Sequence, residues 1–194
     1  NSNFVSTINL LNHGPKIKKF IQIGTSEIYG LQKKLPFNIK EKANPMSPYA
    51  VTKFSSELFS ILKSKHTKLN LICVRPFNTF GPFQSEKAII PEIIIKCLMN
   101  KDIKTTGGKQ TREFNYVENI VDGILFLNDK VKHSTEPINI GSNKPIKIRD
   151  LVKKIHKFSN SSSKLKIGYL SYRPNEIWNM QANNNFLTKK GWRP

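Results

Sequence analysis

The chain has 194 residues, 38% of them hydrophobic, and a formal net charge of +19. That is enough for one sizeable domain, or one and a fraction, around a packed core; no run of about 18 apolar residues is present to span a membrane, and a membrane partner is not expected. The charge excess is lysine spread along the whole chain, with only five arginines and no nucleic-acid motif beside it, so nucleic acid is not an expected partner either.

Residues 3–13 are expected to form an amphipathic helix with Phe4, Ile8 and Leu11 on one side. "KKFIQIG", 18–24, has the short apolar run of a buried strand ending at glycine. Residues 31–47 are loop, broken by Pro36 and Pro45, with Pro48 just beyond. A helix follows over 49–65, with an apolar stripe of Ala50, Phe54, Leu58, Ile61 and Leu62. "LNLICVRP", 69–76, is a second buried strand, stopped by Pro76. Residues 90–101 are helical, with Pro91 near the first turn, where a missing N–H does no harm. "REFNYV", 112–117, is expected as one short strand, 118–128 as a helix and 136–141 as a strand. Residues 148–158 form an amphipathic helix through Ile148, Leu151, Val152 and Ile155, and "KLKIGYL" is a late strand. Strands separated by helices predict an α/β fold with a parallel sheet.

Cys73 and Cys97 stand in apolar surroundings and are expected as buried free thiols of a reducing compartment. His13, His66, His133 and His156 are scattered, and no metal site is expected.

The chemistry concentrates in three short stretches. In "SPYAVTK", Tyr49 and Lys53 are four residues apart, one turn of a helix, on one face. A free tyrosine has a pKa near 10 and is a poor base at neutral pH, and a nearby ammonium favours its phenolate. That spacing is common by chance, and on its own it describes two surface residues. It gains weight from its neighbours. "IQIGTSEIYG" ends a buried strand in Thr25, Ser26 and Glu27, and "RPFNTFGP" ends the next one in a polar set containing Asn78. Ligands bind outside the C-terminal ends of parallel strands in open α/β sheets.

With these stretches on the page, the chain resembles the extended short-chain dehydrogenase/reductases that act on nucleotide sugars. "NFVSTINLL" resembles their Asn-x-x-Gly-Thr-x-Asn-Leu-Leu helix, with Ser6 in place of glycine. "GTSEIYG", "SPYAVTK", "RPFNTFGP" (Phe80 for the usual Tyr), "TREFNYVENIVDGI" and "RPNEIWNMQANNNFLTKKGWRP" follow in family order. The Gly-x-x-Gly-x-x-Gly turn with which the family begins is not in this sequence, and the chain lacks an initiating Met. It is therefore expected to be part of something longer, without the N-terminal Gly-rich part.

The resemblance implies the C-terminal part of a Rossmann-like parallel sheet plus a small α/β substrate-binding lobe. Residues 1–76 and about 113–141 would belong to the NAD-binding domain, and about 77–112 and 142–194 to the nucleotide-sugar lobe. It implies NAD as cofactor, with NADP possible, a nucleotide-diphosphate sugar as substrate, a homodimer through helices 3–13 and 49–65, and a cytoplasmic enzyme of polysaccharide biosynthesis. By motif position the catalytic residues would be Thr25, Ser26, Glu27, Tyr49 and Lys53. Tyr49 and Lys53, with Pro76, would hold the cofactor, Lys53 also lowering the Tyr49 pKa. Asn78, Arg112 and Arg173 would hold the diphosphate. Thr-Ser-Glu resembles the 4,6-dehydratases, in which the Glu removes the C5 proton. Nucleotide-glucuronate decarboxylases share that triplet, simple 4-epimerases often carry no acid there, and a member that kept the fold only for binding is the non-enzymic alternative.

Overall fold

The computed structural model describes residues 2–14 and 16–194. In chain order, helix α1 (Phe4–His13) leads to strand β1 (Lys19–Ile23), a 3-10 turn (Ser26–Tyr29) and the long helix α2 (Pro48–His66). Strands β2 (Asn70–Pro76) and β3 (Thr79–Phe80), helix α3 (Ile89–Leu98) and strands β4 (Ile103–Thr105), β5 (Thr111–Arg112) and β6 (Asn115–Tyr116) follow. Helix α4 (Val117–Lys130), β7 (Ile138–Ile140), β8 (Ile146–Lys147), α5 (Ile148–Phe158), β9 (Leu165–Ile167), β10 (Asn179–Met180) and α6 (Asn185–Lys189) complete the chain.

The main sheet has the order β1-β2-β7, all parallel, with Ile21 opposite Ile72 and Val74 opposite Ile138. Parallel strands covered on their faces need near-continuous apolar runs, which is why β2 and β7 are buried along nearly their whole length. Ile72, Val74, Ile138 and Ile140 pack against Ile120, Leu127 and Val131 of the α4 region and against Leu187 and Trp192. A second cluster joins Ile28, Tyr29 and Phe37 to Phe77, Met180 and Ala182. A third lies under α3 and α5, where Ile93 and Cys97 meet Ile148, Val152 and Ile103. Cys73 and Cys97 are buried free thiols, as expected. None of the described helices is long and apolar enough to cross a membrane.

Helix α2 is capped by Ser47, whose hydroxyl accepts from the Ala50 N–H, with Pro48 in the first turn. Its expected apolar stripe is only partly inward. The buried positions are Ala50, Ser56, Glu57 and Ser60, while Leu58 and Leu62 are about half exposed. Small hydroxyl residues let α2 lie close to its neighbours: Ser60 donates to Gln22 Oε1 on β1 at 3.2 Å, and Ser56 donates to the carbonyl of Asn3, just before α1, at 3.1 Å.

The single strand expected over 112–117 is instead two short strands in different ladders. Thr111 and Arg112 pair with β10 and β8, whereas Asn115 and Tyr116 pair with β3. The crossing is held by Glu113, fully buried, whose carboxylate accepts from the Ala182 N–H at 3.1 Å and from Asn115 Nδ2 at 3.4 Å. A buried carboxylate needs such donors, and they pull the backbone out of one continuous ladder. Helix α3 stops at Leu98, earlier than expected, because Asn100 turns into the left-handed region (φ 51°).

Candidate active site

The ends of β1 and β2 open on a cleft of about 460 Å³ lined by Thr25, Ser26, Glu27, Tyr49, Lys53, Pro76 and Asn78. Three separate segments meet there. Gly24 closes β1 by donating its N–H to the Val74 carbonyl at 2.7 Å, which seats Thr25 at the sheet end. The Thr25 hydroxyl then accepts from the Glu27 N–H at 3.2 Å and caps the 3-10 turn. Tyr49 and Lys53 come from the first turns of α2, and Pro76 and Asn78 from the end of β2 and the residues after it.

The side chains do not all face the cleft alike. Ser26 is buried, and its hydroxyl donates to the sulfur of Met180 at 3.6 Å, inside the second core cluster. Glu27 is exposed, and its Oε2 accepts from Ser47 Oγ at 3.2 Å, which ties the carboxylate to the cap of α2. Tyr49 is 44% exposed. Burial of the rest raises its pKa above the ordinary value, the Thr25 hydroxyl alongside lowers it, and the Glu27 carboxylate raises it again. Lys53 was expected to lower the Tyr49 pKa, but in this arrangement it is not the group that does so. Its ammonium donates to the Ile23 carbonyl at 2.9 Å, an acceptor at the end of the edge strand β1. Its own pKa is lowered by burial. Thr25, not Lys53, is therefore the neighbour that favours the phenolate here.

A second cavity, about 480 Å³, shares Asn78 with the first and continues over Lys87, Lys104, Arg112, Arg173 and Glu176. Arg112 donates from Nη2 to Glu176 Oε1 at 3.1 Å and from Nη1 to the Thr111 carbonyl at 2.9 Å. Burial lowers its pKa, while Glu176 and the more distant Glu27 raise it. Two carboxylates, Glu92 and Glu176, face four cations in this lining, and Glu92 also pairs with Lys96. The balance is cationic, as an anion site requires.

Sequence reasoning missed Gln84, which lines the strand-end cleft, and Lys87 and Lys104 in the second cavity. Gln84 and Lys87 follow directly on "RPFNTFGP" and carried that positional signal. Lys104 carried none, because lysine is everywhere in this chain. A larger groove of about 770 Å³ between α3 and α5 is mostly apolar and holds none of the expected site residues.

The geometry defines a polar cleft at the strand ends with a cationic cavity beside it. Residues 1–141 match the family model described as NAD dependent epimerase/dehydratase family, and the chain belongs to that family. It is similar to human dTDP-D-glucose 4,6-dehydratase, 29% identical over 188 residues that cover 94% of this chain and 53% of that protein. It is similar to CDP-abequose synthase of Salmonella muenchen, 29% identical over 191 residues, covering 98% of this chain and 63% of the relative. Among solved structures it resembles the UDP-N-acetylglucosamine 4-epimerase of Methanobrevibacter ruminantium in complex with UDP-N-acetylmuramic acid, with TM-score 0.88, 29% identity, and coverage of 99% of this chain and 63% of that one. It also resembles dTDP-glucose 4,6-dehydratase from Bacillus anthracis in complex with NAD, with TM-score 0.88, 25% identity, and coverage of 99% and 62%. The chain thus spans between about half and two thirds of the length of these relatives.

Proposed function

We propose that the chain carries the catalytic and sugar-binding part of an NAD-dependent nucleotide-sugar 4,6-dehydratase. The observation that carries this reading is Glu27: an exposed carboxylate in the same cleft as Thr25, Tyr49 and Lys53, and within electrostatic reach of both Tyr49 and Arg112. A 4-epimerase on the same scaffold is the second reading, favoured by the likeness to the archaeal epimerase structure.

NAD fits this cleft at its nicotinamide end only. Tyr49 and Lys53, with Pro76, would hold that end; Lys53 keeps donors to spare beyond the one given to Ile23. NAD supplies a reversible acceptor for the hydride from the sugar C4 carbon. Tyr49 takes the proton of the C4 hydroxyl, and Thr25 hydrogen-bonds that oxygen. Once C4 is a ketone, the C5 proton is acidic. Glu27 removes it and passes it to the C6 hydroxyl, which leaves as water; C6 then takes back the hydride, and Glu27, protonated again from solvent, gives C5 its proton. The overall change is loss of one water with no net oxidation. Asn78, Arg112 and Arg173 hold the diphosphate, Arg112 by its planar fork. In this reading residues 1–76 and about 113–141 serve the cofactor, and about 77–112 and 142–194 the nucleotide sugar.

Arg112→Lys tests the substrate half. It keeps a cation for Glu176 but loses the fork, and charged hydrogen bonds contribute roughly 1.5–3 kcal/mol. The KM for the nucleotide sugar should rise about tenfold or more, with a smaller effect on kcat in steady-state assays of the complete gene product. The 194-residue chain alone, with no glycine-rich pyrophosphate turn in its sequence, should bind NAD weakly by calorimetry, and tight binding would contradict the proposed division of labour. The half-exposed Val51, Leu58 and Leu62 of α2 and Val5 and Leu10 of α1 support a homodimer through these helices. Leu58→Glu combined with Leu62→Glu should shift the complete gene product from dimer to monomer in sedimentation, and an unchanged dimer would refute this interface.

A further inference from the structure

Beneath the cleft lies a charge pair that the reaction does not use directly. Glu57 follows Tyr49 and Lys53 on α2 at the same four-residue spacing, one turn deeper, and is 1% exposed. Arg75, on β2 immediately before Pro76, is 5% exposed and grips it with two bonds: Nη2 to Oε1 at 2.6 Å and Nε to Oε2 at 3.1 Å. The remaining edge of the guanidinium donates from Nη1 to the Tyr29 hydroxyl at 2.9 Å. Tyr29 in turn donates to Asn139 Oδ1 at 2.7 Å, and Asn139 Nδ2 donates to the Phe37 carbonyl at 2.9 Å. Gly24 makes room for this clamp, since a Cβ there would stand 3.0 Å from the Val74 carbonyl and 3.2 Å from Glu57 Oε2.

Each segment that supplies the cleft is therefore held by one member of the network. Glu57 holds the helix of Tyr49 and Lys53, Arg75 holds the strand that ends in Pro76 and leads to Asn78, and Tyr29 holds the turn of Thr25 and Glu27. A fully buried ion pair is a poor way to gain stability, because desolvation of both charges offsets their attraction. What a bidentate pair does supply is a fixed distance and angle between two elements. Burial works against the Arg75 charge, yet Glu57 and Tyr29 hold its pKa above the ordinary value, so the guanidinium stays charged.

We infer that Glu57 and Arg75 are positioning residues that set the Tyr49 hydroxyl against Thr25 and Glu27 across the cleft. This rests on the reading of the cleft as a C4-oxidation site. Two variants of the complete gene product test it: Glu57→Met with Arg75→Met, which removes both charges at similar volume, and Glu57→Asp, which keeps the pair but draws the carboxylate back by one methylene. A misplacement of about 1 Å remote from the chemistry can lower a rate about 100-fold. Both folded variants should lose about that much kcat, with the nucleotide-sugar KM changed less, because of the three diphosphate residues only Asn78 follows the Arg75 strand, while Arg112 and Arg173 lie elsewhere in the chain. The rise of kcat with pH should also move to higher pH as Thr25 withdraws from Tyr49. Wild-type kcat and pH profile in either folded variant would overturn the inference. So would failure of both to fold, which would make the pair a folding requirement instead. If the unmodified protein turns over no nucleotide sugar with NAD, it is the underlying reading that fails.

Discussion

Tyr49→Phe is expected to lower turnover of the complete gene product by about 100- to 10,000-fold, the usual contribution of a positioned acid–base group. The ring is half exposed and stays in place without its hydroxyl, so the melting temperature should hardly change, and the loss can be assigned to chemistry. The pH dependence carries the same prediction with a sign. The base is the phenolate, which is present above the Tyr49 pKa, and that pKa is raised by burial and by Glu27 against the lowering effect of Thr25. The kcat for C4 oxidation should therefore rise with pH through the neutral and alkaline range. Thr25→Val removes the one lowering neighbour and should displace the rise to higher pH. A Tyr49→Phe enzyme with wild-type kcat would remove Tyr49 from the mechanism.

Glu27→Gln has the second large effect, and it should divide the reaction. The amide cannot take the C5 proton, so water loss and solvent deuterium uptake at C5 should stop. C4 oxidation should survive and be seen as absorbance of reduced nicotinamide. It should also extend to lower pH, because removing the Glu27 charge takes away one of the two influences that raise the Tyr49 pKa. The Ser47 hydroxyl can still donate to the amide oxygen, so the cap of α2 is expected to survive. Full dehydration by Glu27→Gln would rule out Glu27 as the base that takes the C5 proton.

Much of this was legible in the sequence, for physical reasons. The buried strands β1 and β2 announce themselves as apolar runs closed by Gly24 and Pro76, and the polar residues after them fall at sheet ends because parallel strands share a direction. That brought Thr25, Glu27, Tyr49, Lys53, Pro76 and Asn78 to one cleft. Arg112 and Arg173, remote in sequence, share the adjoining cavity. Other features were not legible. The Ser26 hydroxyl faces Met180 because the 3-10 turn rotates it into the core, and periodicity does not encode that rotation. The break at Glu113 depends on donors from Ala182 and Asn115, the first far away in the chain. The polar inner face of α2 inverts the usual pattern, because Glu57 is satisfied by Arg75 on a strand and Ser60 by Gln22. The Lys53 ammonium turned to the Ile23 carbonyl is likewise a choice among acceptors that only the folded chain presents.

The central claim, that Glu27 turns a shared C4 oxidation into dehydration, is tested most directly by the mass of the product. The complete gene product should be incubated with NAD and a panel of nucleotide-diphosphate sugars, and the products weighed by mass spectrometry. The account predicts a product lighter than its substrate by one water, with no net consumption of NAD. A product of unchanged mass would contradict it in favour of epimerisation, and loss of carbon dioxide would contradict it in favour of decarboxylation.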